Sequence, residues 1–207
     1  MNESTKTLTF LGVALAAVAL AFATRPSTAD YDVSTEKGKP IVKFDPEEAK
    51  RMKVVQFDEA TATLREFEVA EDEGVWTIPS KGGYPADAEK RMGQAVNAVM
   101  DREILNVVSN NAADHDKFGV VDPGSSKLEV GQTGVGTRVT FAGATGEPLV
   151  DLIIGKPVKD ATGQHYVRKP SQDPVYVVEI SPDDFSTKFE DWIEPDLLKF
   201  NAFDVQE

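Results

Sequence analysis

This 207-residue chain predicts an α+β fold of mostly antiparallel sheets with a few packed helices, preceded by one N-terminal transmembrane helix. Three observations carry that expectation. An uncharged run, TLTFLGVALAAVALAFAT at residues 7–24, lies between Lys6 and Arg25. Beyond it, short runs of β-branched and aromatic residues are separated by glycine-rich and acidic turns, the pattern of a meander. One stretch, residues 85–101, changes to the three- and four-residue spacing of an amphipathic helix.

The N-terminal run sits at the short end of what spans a bilayer as a helix. It is alanine-rich, so its lipophilicity is mild. A cleaved signal peptide is the competing reading, with Ala21-Phe22-Ala23 as its small-residue cleavage site. The run is longer than such leaders usually are and starts with little positive charge. A buried core helix fits poorly, because core helices normally keep a polar face. Lys6 stands alone before the run while Arg25, Lys37, Lys39 and Lys43 follow it, which by charge count favours a cytoplasmic domain. Position near the N-terminus favours the opposite, and the expected topology is a single pass with an extracytoplasmic domain. The organisation is then an anchor at 1–25, a polar linker at 26–40 and an α+β domain at 41–207, with two similar halves, 41–124 and 125–207, as a candidate subdivision.

Within the domain, residues 53–57, 64–69 and 75–78 read as strands, with the acidic turn Glu71-Asp72-Glu73-Gly74 between the last two. In the helix that follows, Ala88, Met92, Ala95, Val96 and Val99 form one apolar stripe, and Pro85 is tolerated in its opening turn. Residues 104–108 read as a strand and 111–117 as a short helical turn. Thr137, Val139 and Phe141 alternate with polar neighbours, residues 149–154 form a near-continuous apolar strand, and 165–168 and 175–180 complete the sheet. A helical tail is expected around Phe185, Phe189, Trp192 and Ile193, interrupted by Pro195.

Composition narrows the chemistry. A formal charge of −13 disfavours nucleic acid as a partner. The absence of cysteine removes disulfides, thiolate metal sites and thiol nucleophiles. His115, between Asp114 and Asp116, has general-base residue types beside it, but neighbours on a helix point apart; His165 sits on a strand. The glycines at 131, 134 and 136 lack the Lys-Ser/Thr and helix of a phosphate loop, so a hairpin turn with positive φ is expected there. No catalytic, cofactor or metal residue emerges. The candidate partner or ligand residues are Tyr84 and Lys81, in the glycine-proline connection after Trp76, and His115. For Trp76 and Tyr84 the alternative is burial in the core.

Trp76-Thr77-Ile78-Pro79-Ser80 with Gly83-Tyr84-Pro85-Ala86-Asp87-Ala88 resembles bacterial proteins carrying domain of unknown function 4340. Further pieces in the same order are His115 with Gly119-Val120-Val121-Asp122-Pro123, Gly134-Val135-Gly136-Thr137, Leu152-Ile153-Ile154-Gly155-Lys156, Tyr166-Val167-Arg168 and Asp191-Trp192-Ile193. The resemblance implies a membrane-anchored protein with an extracytoplasmic α+β region, associated with transport systems of the ATP-binding-cassette and gliding type. It implies no catalytic residues. Relatives run on past this point, so the stretch 201–207 reads as a short or truncated end. The expected function is non-enzymatic binding or scaffolding of envelope or transporter proteins. The alternatives are a ligand-binding accessory domain of such a transporter and, less favoured, a hydrolase using His115. Membrane fractionation with protease accessibility is expected to find the full-length protein in the membrane with its domain reachable only from outside; a soluble, shortened product would mean the run is cleaved.

Overall fold

Along residues 51–54 apolar Met52 and Val54 are buried while Arg51 and Lys53 alternate with them, and the sheet is built on that alternation. The computed structural model describes residues 33–125, 128 and 131–193, together with Ala14. The strands are β1 (Arg51–Asp58), β2 (Thr63–Asp72), β3 (Val75–Ile78), β4 (Tyr84–Pro85), β5 (Asn106–Ser109), β6 (Thr137–Ala142), β7 (Pro148–Pro157), β8 (Gln164–Arg168) and β9 (Val175–Glu179). They form one antiparallel sheet in the order β4-β3-β2-β1-β6-β7-β8-β9-β5, where several sheets were expected. A single sheet arises because β1 pairs with β6 as well as with β2, Met52 standing opposite Phe141 and Val54 opposite Val139.

Two four-strand meanders therefore run outward from the β1–β6 seam. The turn between β2 and β3 is two residues, Glu73 and Gly74, both at positive φ, the geometry that keeps a tight hairpin twisted correctly. β5 breaks the simple order, crossing to the far edge to pair with β9 around a bulge between Val107 and Ser109.

One face of the sheet carries the main core. Met52, Val54, Phe67, Val69, Val139, Phe141, Val150, Leu152 and Ile154 point into it. Helix α2 (Glu89–Val99) covers this face with Met92, Ala95, Val96 and Val99, the stripe its spacing predicts. The helix starts later than expected, because Tyr84 and Pro85 pair with β3. Before α2 comes α1 (Val33–Glu36), a single turn. The distal part of the stretch expected as a polar linker is docked: Gly38 N donates to Ile104 O at 2.8 Å and Ile104 N to Lys39 O at 2.8 Å.

The expected helical tail is two 3-10 turns instead, Pro182–Asp184 and Phe189–Trp192, over the residues described to 193. Ser181 and Asp184 form a reciprocal capping box that fixes the first turn. Trp192 is buried against Phe67, ring centroids 5.6 Å apart, and its Nε1 donates to Ser186 O at 2.9 Å. Trp192 O in turn accepts from Asp87 N at 2.9 Å, tying the segment to the approach of α2. Residues 7–24, and with them the proposed span, lie outside the described residues apart from Ala14. Among the described residues no helix is long and apolar enough to cross a membrane.

On the opposite face, residues 115–122 lie across the ends of β6 and β7. α3 (His115–Phe118) ends at Gly119, which is left-handed at φ 75°. The chain can lie this low because of glycine. A Cβ on Gly155 would stand 2.5 Å from Phe118 O and 2.7 Å from Gly119 O, and one on Gly136 would stand 2.8 Å from Gly119 O. Gly131 and Gly134 do adopt positive φ, as expected. Val135 pairs in parallel with Val121, and Gly134 and Gly136 lie against the backbone of Asp116 and Gly119, so these two glycines form the lower half of a crossing. Gly155 has no unusual φ, and only space demands glycine there. Gly155→Ala is therefore expected to destabilise the domain by about 1–3 kcal/mol in a urea titration, the cost of overpacking a rigid contact; no change would show that the crossing yields.

Candidate functional site

The three candidate partner residues do not converge. Tyr84 sits on the β4 edge, 37% exposed, with its ring edge-on to Phe189 at 5.1 Å between centroids. Lys81 is nearby and exposed, at the end of the 3-10 turn Pro79–Lys81. Trp76 is partly buried against the main core, so the connection is split between core and surface. His115 lies in α3, beside the opposite end of the sheet. Its Nε2 is 2.9 Å from Asp173 O. Its two carboxylate neighbours are engaged elsewhere: Asp114 accepts from Ser109 Oγ at 2.6 Å and Asp116 from Lys117 N at 2.7 Å. Among the described residues no group of three His, Asp or Glu is placed to hold a metal.

What the structure assembles instead is a set of ion pairs on the second face, invisible in any one stretch of sequence. Arg51 on β1 reaches Asp72 at 2.5 Å and Glu68 at 3.8 Å on β2. Lys53 reaches Glu66 at 2.8 Å. Across the seam, Arg138 on β6 holds Asp151 on β7 through two hydrogen bonds, 2.9 Å from Nε and 2.7 Å from Nη2. The remaining Nη1 of Arg138 reaches Asp122 at 3.2 Å. Hydrogen bonding to Asp151 raises the Arg138 pKa above its ordinary value, against a smaller opposing cost of burial. Arg51–Glu68 and Arg138–Asp151 are the same arrangement on the two meanders. In each, the arginine of a central strand faces a carboxylate of the next strand out.

Arg168, at the end of β8, is the buried charge of this face, only 5% exposed. Its Nε donates to Val120 O at 3.0 Å, and its Nη1 to Pro170 O at 3.0 Å and Gln172 O at 3.1 Å. Burial lowers its pKa, while the nearby negative charges of Asp122 and Asp173 oppose that shift. The guanidinium thus clamps the β8–β9 turn and the crossing segment together, with no direct carboxylate partner among the described residues. It also lines a cleft of about 470 Å³ whose walls include Ala112, Ala113, His115, Val121 and Asp122. An isolated arginine after Tyr166-Val167 carries no signal of burial, so the sequence gives Arg168 a place on a strand and no more.

A family model described as "Domain of unknown function (DUF4340)" matches residues 76–207. No curated protein and no solved structure gives a match. The matched stretch contains the crossing glycines, Arg138, Arg168 and Trp192.

Replacing Arg168 by Met strands the carbonyls of Val120, Pro170 and Gln172. A loss of about 1–3 kcal/mol is expected in denaturant unfolding, the penalty for buried acceptors left without donors. Arg168→Lys is expected to recover less than half of it, because an ammonium lacks the planar fork. Full recovery with Lys would mean that charge alone matters there.

Proposed function

Since the chain belongs to the DUF4340 family, whose model matches residues 76–207, we propose that it is a single-pass membrane protein whose α+β domain binds or scaffolds other envelope or transporter proteins without catalysis. The anchor is residues 7–24, and the domain stands on the extracytoplasmic side. The observation that supports this reading is the ion-paired second face over β1, β2 and β6. Its side chains are half-exposed, with Lys53 at 41% and Glu66 at 50%. Their alternating signs are fixed by strand register. Such a face presents a defined charge pattern to a partner, which sets orientation and discriminates against wrong surfaces more than it adds affinity. The strongly acidic chain supports a partner surface with a basic excess.

Co-purification with crosslinking of the full-length protein from its own membrane tests the reading. A defined membrane partner is expected, with capture falling as salt rises and falling further in Lys53→Glu. Because Lys53 is half-exposed, that variant is expected to keep its melting temperature to within a few degrees. Recovery of no partner across several detergents would overturn the proposal, and capture insensitive to both salt and Lys53→Glu would move the docking surface elsewhere.

A further inference from the structure

One glycine of α2 answers to nothing in the fold. Gly93 is inside the helix and exposed, and a Cβ built on it would meet no atom within 4 Å. Gly136 and Gly155, on the other face, are demanded by backbone lying against them; Gly93 is not. Glycine weakens a helix relative to any straight-chain residue, because it gives up the most backbone freedom on folding. What it provides at this position is room beside the helix.

That room belongs to a groove of about 530 Å³ bounded by α2, the β2–β3 hairpin and the 3-10 turn Pro46–Glu48. Its apolar lining is the half-buried Trp76 with Met92 and Val96. Its charged lining is acidic. Three carboxylates, of Glu47, Glu71 and Glu89, stand against one ammonium, that of Lys50, and Glu71 already holds Lys50 at 2.9 Å. Glu47 and Glu89 come from different elements, are exposed, and form no ion pair among the described residues. Free carboxylates around an indole suit arginine above other cations. A guanidinium stacks on the ring, is weakly hydrated, and offers paired N–H groups to a carboxylate from the same plane.

We propose that this groove docks an arginine-bearing segment of a partner protein, with the guanidinium on Trp76 facing Glu47 and Glu89 and the segment's backbone passing over Gly93. Charge complementarity and the unexplained glycine support it independently. The groove lies on the α2 side of the sheet, whereas Lys53 and Glu66 lie on the other. Gly93 variants and Lys53→Glu therefore report on different surfaces, and either docking surface can fail without the other.

Tryptophan fluorescence reads this groove, because the chain has two tryptophans and Trp192 is 1% exposed. The full chain in detergent micelles is titrated with the peptide acetyl-Ala-Gly-Arg-Gly-Ala-amide and with the same peptide carrying citrulline, which keeps the shape without the charge. A saturable change in emission is expected with the arginine peptide, weakening as salt rises, and about tenfold weaker or more with citrulline. Glu89→Gln is expected to weaken the arginine peptide about threefold or more. The decisive variant is Gly93→Gln, which fills the room with a good helix former. It is expected to raise the melting temperature by about 1–3 °C while weakening the arginine peptide by about tenfold or more. A residue with a merely structural role would not move stability and binding in opposite directions. No saturable change, equal affinity for the citrulline peptide, or undiminished binding by Gly93→Gln would overturn the proposal. Self-association of the full chain that Gly93→Gln abolishes would also overturn it, by placing a second copy in the groove.

Discussion

Backbone passes directly over backbone where Phe118 and Gly119 cross Gly136 and Gly155, and the second face of the sheet is organised around that crossing. Side chains at any of the three glycines would lift residues 115–122 off the strands. Raised by even an ångström, Val120 O would leave Arg168, and Asp122 would leave Arg138. Lys156 closes the arrangement from below, its Nζ donating to the carbonyls of Asp116 and Lys117 at the end of α3. Small residues, two arginines and one lysine thus act as a unit. Interiors close-packed to this degree transmit a local misfit rather than absorbing it.

The two faces are stabilised by different physics. The main core gains from burying apolar area between the sheet and α2, and such a gain tolerates changes of shape if volume is kept. The second face gains from donors and acceptors that must meet at fixed distances, so it tolerates little. Breaking one partner of the Arg138–Asp151–Asp122 set leaves a partly buried charge without its neighbour, and that loss exceeds what the intact pair contributes.

Strands were legible in the sequence because their signal is local. Residues 137–141 alternate, residues 75–78 are rich in β-branched and aromatic side chains, and the stripe at Met92, Ala95, Val96 and Val99 has the spacing of a helix. Boundaries failed where a distant partner decided them: Pro85 is drawn into the sheet by β3, and the Trp192 segment is held as a 3-10 turn by Ser186 and Asp87 rather than by its own spacing. Gly134 and Gly136 carry only a turn signal in the sequence, because what demands glycine there is the approach of Asp116 and Gly119 from elsewhere in the chain. The residues that carried the family resemblance now divide into two places in space. Trp76, the 84–88 stretch and Trp192 pack around α2; the Gly119, Gly134–Gly136, Gly155 and Arg168 pieces meet at the crossing. His115, Lys81 and Tyr84 stand out in the sequence by their chemistry, which carries no sign that His115 lies at the other end of the sheet from Lys81 and Tyr84.

The crossover of β5 carries a consequence for how the chain comes together. The first meander can close from neighbouring hairpins as soon as residues 51–85 are available. β5, by contrast, has no partner until β9 is made some 70 residues later, and β1 keeps an unpaired edge until β6 arrives. Long-range pairings of this kind form slowly, since loop closure must precede the contacts that reward it. During that interval β1 exposes a row of free amides and carbonyls, flanked by Met52 and Val54, to any other nascent chain. Arg51 and Lys53 alternate with those apolar residues on the same strand. Before they are ion-pair partners in the finished sheet, they serve as charges that keep its most vulnerable edge from pairing with the wrong molecule.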